Sequence, residues 1–212
     1  MERLAKKIAK SVGDSLGKTE EEVAVIAYGL IGILQFSAIF IVASIIGAIF
    51  GFWLEVLTVF LSVGFLRRFT GGAHSSGLYS CLFYSVIFVC GISSLAHYVL
   101  SALPFAANCI LCGLIFSFGY LMVALKAPVA PPNKPCRSEA KRKRLRKGAF
   151  IALSAFLIFV ALTFIFKDSA PRLYTIGLAL SLSTLWQIAM MTKVGHIFIT
   201  FIDGIFMKKE SQ

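Results

Sequence analysis

Two stretches without a charged side chain, residues 23–54 and 69–125, restrict this chain more than any other feature. A helix needs about 20 mostly apolar residues to cross a bilayer. The second stretch therefore holds two spans, and 23–66, interrupted only by Glu55, holds two more. Overall 58% of residues are hydrophobic and 15% charged, whereas about 25% of a soluble domain is charged. The first 22 residues are polar and of mixed charge, without the short apolar core and small-residue site of a cleavable signal peptide.

The remaining chain divides in the same way. A turn is expected around 47–53, a third span over 78–98, and a fourth over 103–125 with Pro104 between them. The proline-rich, basic stretch 126–147 cannot be embedded. A fifth span (148–166) and a sixth (173–191) flank a polar loop at 167–172. In the leader, Leu4, Ile8, Val12 and Leu16 share a helical face, and the tail 193–212 is amphipathic. Both predict helices lying on the membrane surface. The expected fold is an all-α integral membrane protein, one polytopic domain over 1–212, with about six transmembrane helices and amphipathic terminal segments.

Basic residues set the orientation. The leader, the 67–77 break, the 126–147 loop and the tail hold 19 of 21 Lys and Arg, against two in the 167–172 loop. Positive loops stay cytoplasmic, so both termini and the 67–77 break are expected on the cytoplasmic side of the cell membrane. The net charge of +11 does not point to nucleic acid, because the basic loop has no interleaved aromatics on which bases could stack. Glu55 fits less simply. With the turn at Trp53, only about 18 Å of helix separates Glu55 from Arg67 at 1.5 Å per residue, against a hydrocarbon core of about 30 Å. Either the turn lies nearer Gly47 and Glu55 is intramembrane, or the 67–77 break dips into the bilayer.

Chemistry concentrates in that break, Arg67-Arg68-Phe69-Thr70-Gly71-Gly72-Ala73-His74-Ser75-Ser76-Gly77, followed closely by Cys81. A thiol needs a base to act as a nucleophile at neutral pH, and imidazole suits that task. Along a continuous helix His74 and Cys81 would lie about 10.5 Å apart, too far for proton transfer. Gly71-Gly72 and Ser75-Ser76-Gly77 allow the chain to fold His74 back over the start of the third span, where Ser75 or Ser76 would be the N-cap. Arg67 or Arg68 would then hold a substrate carboxylate or an oxyanion. On spacing alone an interfacial histidine and an unrelated core cysteine are the favoured reading, and ordinary positive flanking is at least an equal one for the arginines. His97 and His196 read as structural. Cys109 and Cys112 form a C-x-x-C inside a span without a basic neighbour, which favours two small apolar residues over a redox pair. Cys136 reads as an unpaired thiol in the basic loop. No metal-ligand cluster, phosphate loop or cofactor motif is present in the sequence.

The pattern R-x-x-x-G-G-x-H-x6-C, met by Arg67, Gly71, Gly72, His74 and Cys81, resembles the AgrB family of quorum-sensing membrane peptidases. Ala127-Pro128-Val129 and Pro132-Asn133-Lys134-Pro135 resemble that family's second motif, in the expected order. The resemblance implies a cysteine endopeptidase with His74 and Cys81 as its dyad, and with Arg67, Gly71, Gly72 and Lys134 in binding or structural support. It needs no metal and no cofactor. The implied substrate is a short propeptide with an amphipathic leader and an acidic C-terminal tail, cyclised to a thiolactone or lactone. The other implied partners are membrane lipid and a second copy of the chain as a homodimer, with no nucleic acid. The 126–147 loop, nine basic residues less Glu139, would steer the acidic tail or equally bind anionic lipid. A non-catalytic peptide export subunit and a thiol oxidoreductase using Cys109 and Cys112 are the alternatives.

Overall fold

The computed structural model describes residues 2–73, 77–129 and 138–210, without the side chains of 78, 79 and 206–210. Its elements are α1 (Glu2–Leu16), α2 (Glu20–Ile49), α3 (Trp53–Thr70), α4 (Leu78–Ser94), α5 (Phe105–Lys126), α6 (Glu139–Ile165), α7 (Pro171–Ala189) and α8 (Lys193–Glu210). A π turn (Leu95–Val99) and a 3-10 turn (Leu100–Ala102) extend α4. Large side chains such as Val25, Ile33, Ile45, Ile110, Leu114, Leu125, Ile151 and Ile165 are exposed all along the long helices. A soluble monomer does not tolerate apolar surface of that extent; a bilayer requires it.

Four segments are long and apolar enough to cross: Glu20–Ile49, Ser80–Ala102, Phe105–Lys126 and Glu139–Ile165. A fifth arises if Pro171–Ala189 and Lys193–Ile205, bent by 85°, count as one. The expected sixth is α3. Its 18 residues span about 27 Å, but Glu55, Arg67 and Arg68 lie within them. The turn before it falls at 50–52, where Gly51 has φ +80°, so the Trp53 boundary is the correct one and Glu55 opens α3. The basic stretch 126–147 includes the start of a helix. Ser138 caps α6 by accepting from the Lys141 N–H, and Lys141–Lys147 continue into the fifth span as two helical turns, since Lys and Arg are good helix formers.

α7 is the hub. Gly177, Ser181, Ser183, Thr184 and Gln187 are buried in it, and small or hydroxylated residues let membrane helices approach closely. Ser183 pairs with Ser62 of α3 at 2.6 Å, and the Cys112 thiol of α5 donates to Ser181 at 3.2 Å. At one end of the bundle the buried Glu55 carboxylate meets His97 Nδ1 at 2.8 Å and the Thr175 hydroxyl, while Asn108 Nδ2 donates to Tyr174 at 2.8 Å. The charged end of α3, the basic start of α6 and the α7–α8 junction gather at the other end.

At the chain start, Ala5, Ala9 and Gly13 of α1 pack inward while Leu4, Ile8, Val12 and Leu16 face away from the protein. The apolar stripe read from the sequence thus exists and is not used for internal packing. Thr19 and Glu22 form a reciprocal capping box that starts α2.

Candidate active site

α3 stops at Thr70 because Gly71 (φ +68°) and Gly72 (φ +127°) take backbone angles that side-chain-bearing residues avoid. Space requires glycine as well. A Cβ on Gly71 would lie 2.0 Å from the Val129 carbonyl oxygen, and one on Gly72 3.0 Å from that of Met190. Val129 N–H donates to Thr70 O at 2.8 Å, and Gly71 and Val129 form a short parallel bridge. The two separated motifs of the sequence therefore meet edge to edge.

The loop is pinned from a second side by α7. Ala73 N–H donates to Met190 O at 2.9 Å. Gln187 Nε2 donates to Thr70 Oγ1 at 2.9 Å and to Gly71 O at 2.8 Å. From α3 the Arg67 guanidinium donates to Ala73 O, and Arg146 of α6 donates to Ala127 O at 2.9 Å. These backbone groups are thus satisfied by the surrounding protein rather than by a regular helix, as non-helical backbone at membrane depth demands.

Cys81 lies in the first turn of α4, its N–H donating to Gly77 O at 3.0 Å. Gly77 is the N-cap of α4, which corrects the assignment of that role to Ser75 or Ser76. Cys81 is 6% exposed and packs in one cluster with Ala73, Tyr84, Met190 and Ile199. Phe88 stacks on Trp186 at 3.9 Å behind it, and Phe198 meets both rings edge-on. Ser80 donates to Gly77 O at 3.1 Å and to Asp203 Oδ1 at 3.0 Å, so α8 is tied to the turn that carries the thiol.

Of the residues singled out in the sequence, Arg67, Gly71, Gly72 and Cys81 converge here. His74 and Lys134 lie outside the described residues, as do Ser75, Ser76 and Cys136. Ala73, the residue before His74, shares the side-chain cluster of Cys81. Arg68 is exposed. Cys109 is exposed on α5 and Cys112 bonded to Ser181, both as free thiols. Gln187 and Asp203 were not singled out. The available signals were an amide within a span and the one carboxylate between Asp168 and Glu210; polar groups at membrane depth are functional candidates by default.

The sequence profile of the AgrB family, accessory gene regulator B, matches residues 1–191. The chain belongs to the AgrB family. Two proteins of Clostridium perfringens that carry the name AgrB-like are similar over almost their whole length. One, from strain SM101, is 30% identical across 98% of this chain and 99% of its own. The other, from strain 13, is 28% identical over the same shares. An AgrB-like protein of Halalkalibacterium halodurans is 30% identical over 76% of this chain and 78% of its own. No solved structure matches. Family and fold together make this a multi-pass membrane protein linked to quorum-sensing accessory gene regulation.

Proposed function

We propose that this AgrB family member is a cysteine endopeptidase that processes a quorum-sensing propeptide, with both termini and the Cys81 end of the bundle on the cytoplasmic side. One observation supports it above others: Cys81 shares one buried cluster with Ala73, the residue before His74, and Ala73 belongs to a loop fixed by Arg67, Gln187 and Val129. In this reading His74 takes the Cys81 proton and the thiolate adds to the carbonyl at the junction between signal and acidic tail. The tetrahedral intermediate collapses as His74 protonates the leaving amine, leaving a thioester on Cys81 and a free tail. The propeptide's own cysteine then adds to the thioester carbonyl and expels the Cys81 thiolate, closing a thiolactone. A serine in that position closes a lactone. The apolar cluster around Cys81 limits water and protects the acyl-enzyme from hydrolysis.

Gly71 and Gly72 serve by permitting the loop's shape, and Lys134 belongs to the second motif's supporting role. The exposed Lys141–Arg144 turn of α6 steers the acidic tail. A homodimer is a further expectation of the family. The test is co-expression with the propeptide encoded nearby, in membranes, with Cys81→Ser and His74→Ala. Both variants should reach wild-type abundance yet yield no cleaved peptide. The wild type should carry a Cys81 adduct released by neutral hydroxylamine, which cleaves thioesters. Cleavage that survives either substitution refutes the dyad, and export that survives both leaves a transporter instead.

A further inference from the structure

A cavity of about 240 Å³ adjoins Cys81 between α2, α3 and α4. It lies below the roughly 300–1,000 Å³ of sites that enclose a drug-sized ligand, so it takes one or two side chains rather than a peptide. Its walls are graded. α2 runs toward the Glu55 end, α3 runs back, and α4 runs toward that end again, so the lining residues align by level. By that alignment Gln35, Arg67 and Cys81 line the Cys81 end of the cavity, taken as its mouth, and Ile39, Phe60 and Val89 line the opposite end, its floor. From Cys81 to Val89 is eight residues of one helix, about 12 Å.

We propose that this cavity receives the side chain of the residue whose carbonyl becomes bonded to Cys81, and that it selects a bulky apolar one. The inference rests on the peptidase reading above. An acyl group on the Cys81 sulfur is covalently held at the mouth, and the adjoining volume is the floor formed by Ile39, Phe60 and Val89. Arg67 stands at the mouth only, so a charged side chain that reaches the apolar floor would lose its hydration without a partner. Gly64 and Phe36 set the width. A Cβ on Gly64 would lie 3.6 Å from Phe36 Cζ, an ordinary contact, so alanine at 64 narrows the cavity without displacing a neighbour. Phe36 is half exposed, so truncating it widens the cavity at little cost to the core.

The test uses acetyl-aminoacyl chloromethyl ketones bearing Ala, Leu, Phe or Asp side chains on the full chain in phosphatidylglycerol–phosphatidylcholine vesicles. The Cys81 thiolate displaces chloride and forms a thioether, read as intact mass; the side chain lies where a substrate's would. Each rate is divided by that of iodoacetamide, which has no side chain, on the same variant. The Leu and Phe reagents should react at least about tenfold faster than the Ala reagent and still faster than Asp, in line with the discrimination apolar pockets achieve. Gly64→Ala should lower the Phe reagent relative to Ala, and Phe36→Ala should raise it. Opposite shifts cannot come from a general folding defect. Equal relative rates for all side chains, or ratios unmoved by both substitutions, overturn the subsite, as they would if a lipid chain fills the cavity. A wild-type Cys81 that iodoacetamide never labels removes the nucleophile itself, and the peptidase reading with it.

Discussion

Gln187→Leu separates positioning from stability. The Gln187 amide nitrogen donates to Thr70 Oγ1 and Gly71 O, while its own Oε1, fully buried, has no partner among the described residues. Each of the two bonds contributes about 0.5–1.5 kcal/mol net, and a buried unsatisfied acceptor costs about 1–3 kcal/mol. Leucine therefore removes about 1–3 kcal/mol of bonding but also removes an orphaned oxygen of similar cost. Global stability should change little. The loop, however, loses two of its pins. The Thr70 hydroxyl keeps Leu66 O, and among the described residues Gly71 O keeps that hydroxyl at 3.3 Å.

If the loss falls on the arrangement that presents the base to Cys81, a cost of about 1–3 kcal/mol is a roughly 5- to 150-fold slower reaction. The assay is iodoacetamide alkylation of Cys81 at pH 7 in vesicles, followed by intact mass, alongside cleavage kinetics of the cognate propeptide. kcat should fall with KM unchanged, alkylation should slow, and Tm should stay within a few degrees. Ser183→Ala breaks the bond to Ser62 one turn away on the same helix and should leave alkylation at the wild-type rate. A Gln187→Leu protein that alkylates and cleaves like wild type would refute the claim that the α7 amide positions the loop.

Three further outcomes are expected. Gly71→Ala, with its Cβ 2.0 Å from Val129 O and a backbone φ of +68°, should abolish cleavage with the protein still inserted, whereas Gly113→Ala, with open space around it, should be neutral; equal cleavage by the two would contradict the close-approach argument. His97→Ala strips the buried Glu55 of its ring partner and should cost about 1.5–3 kcal/mol, the range for a bond to a charged group, seen as a lowered Tm in detergent. Because Glu55 lies about 18 Å along α3 from Arg67, Cys81 alkylation should not change, and a change would show that the two ends are coupled. Reversing the charges of Lys141–Arg144 while keeping topology should slow cleavage and flatten its salt dependence; unchanged kinetics would remove the steering role.

What the sequence disclosed follows from the kind of signal each feature leaves. Charge-free runs marked the long helices, and Gly71-Gly72 marked the break between α3 and α4, because hydropathy and glycine are local signals. The meeting of residue 71 with residue 129 leaves no local trace. It arises only when six helices alternate in direction and bring their ends together. Glu55 could not be placed from its apolar surroundings, since the deciding feature was Gly51 at positive φ, two residues before α3 begins. Gln187 was hidden for a different reason. It sits among Ser181, Ser183 and Thr184, so residue type alone does not separate it from a hydroxyl-rich packing face.

The junction after α7 shows why the loop and the helix break belong together. In an uninterrupted helix the Met190 carbonyl would accept from the N–H four residues on, leaving nothing for Ala73. Ending α7 at Ala189 frees terminal carbonyls, and Met190 O is the one that Ala73 uses. The restart of the chain is tightly defined, with Gly195 N–H donating to Thr192 Oγ1 at 3.4 Å and a Cβ on Gly195 falling 2.5 Å from Ala189 O. The 85° turn then lays α8 against α4, where Ile199 packs on Cys81's cluster and Asp203 accepts from Ser80. A straight continuation would at once leave Ala73 without its acceptor and uncover the thiol. The same three-residue interruption thus supplies one pin of the loop and one wall of the site.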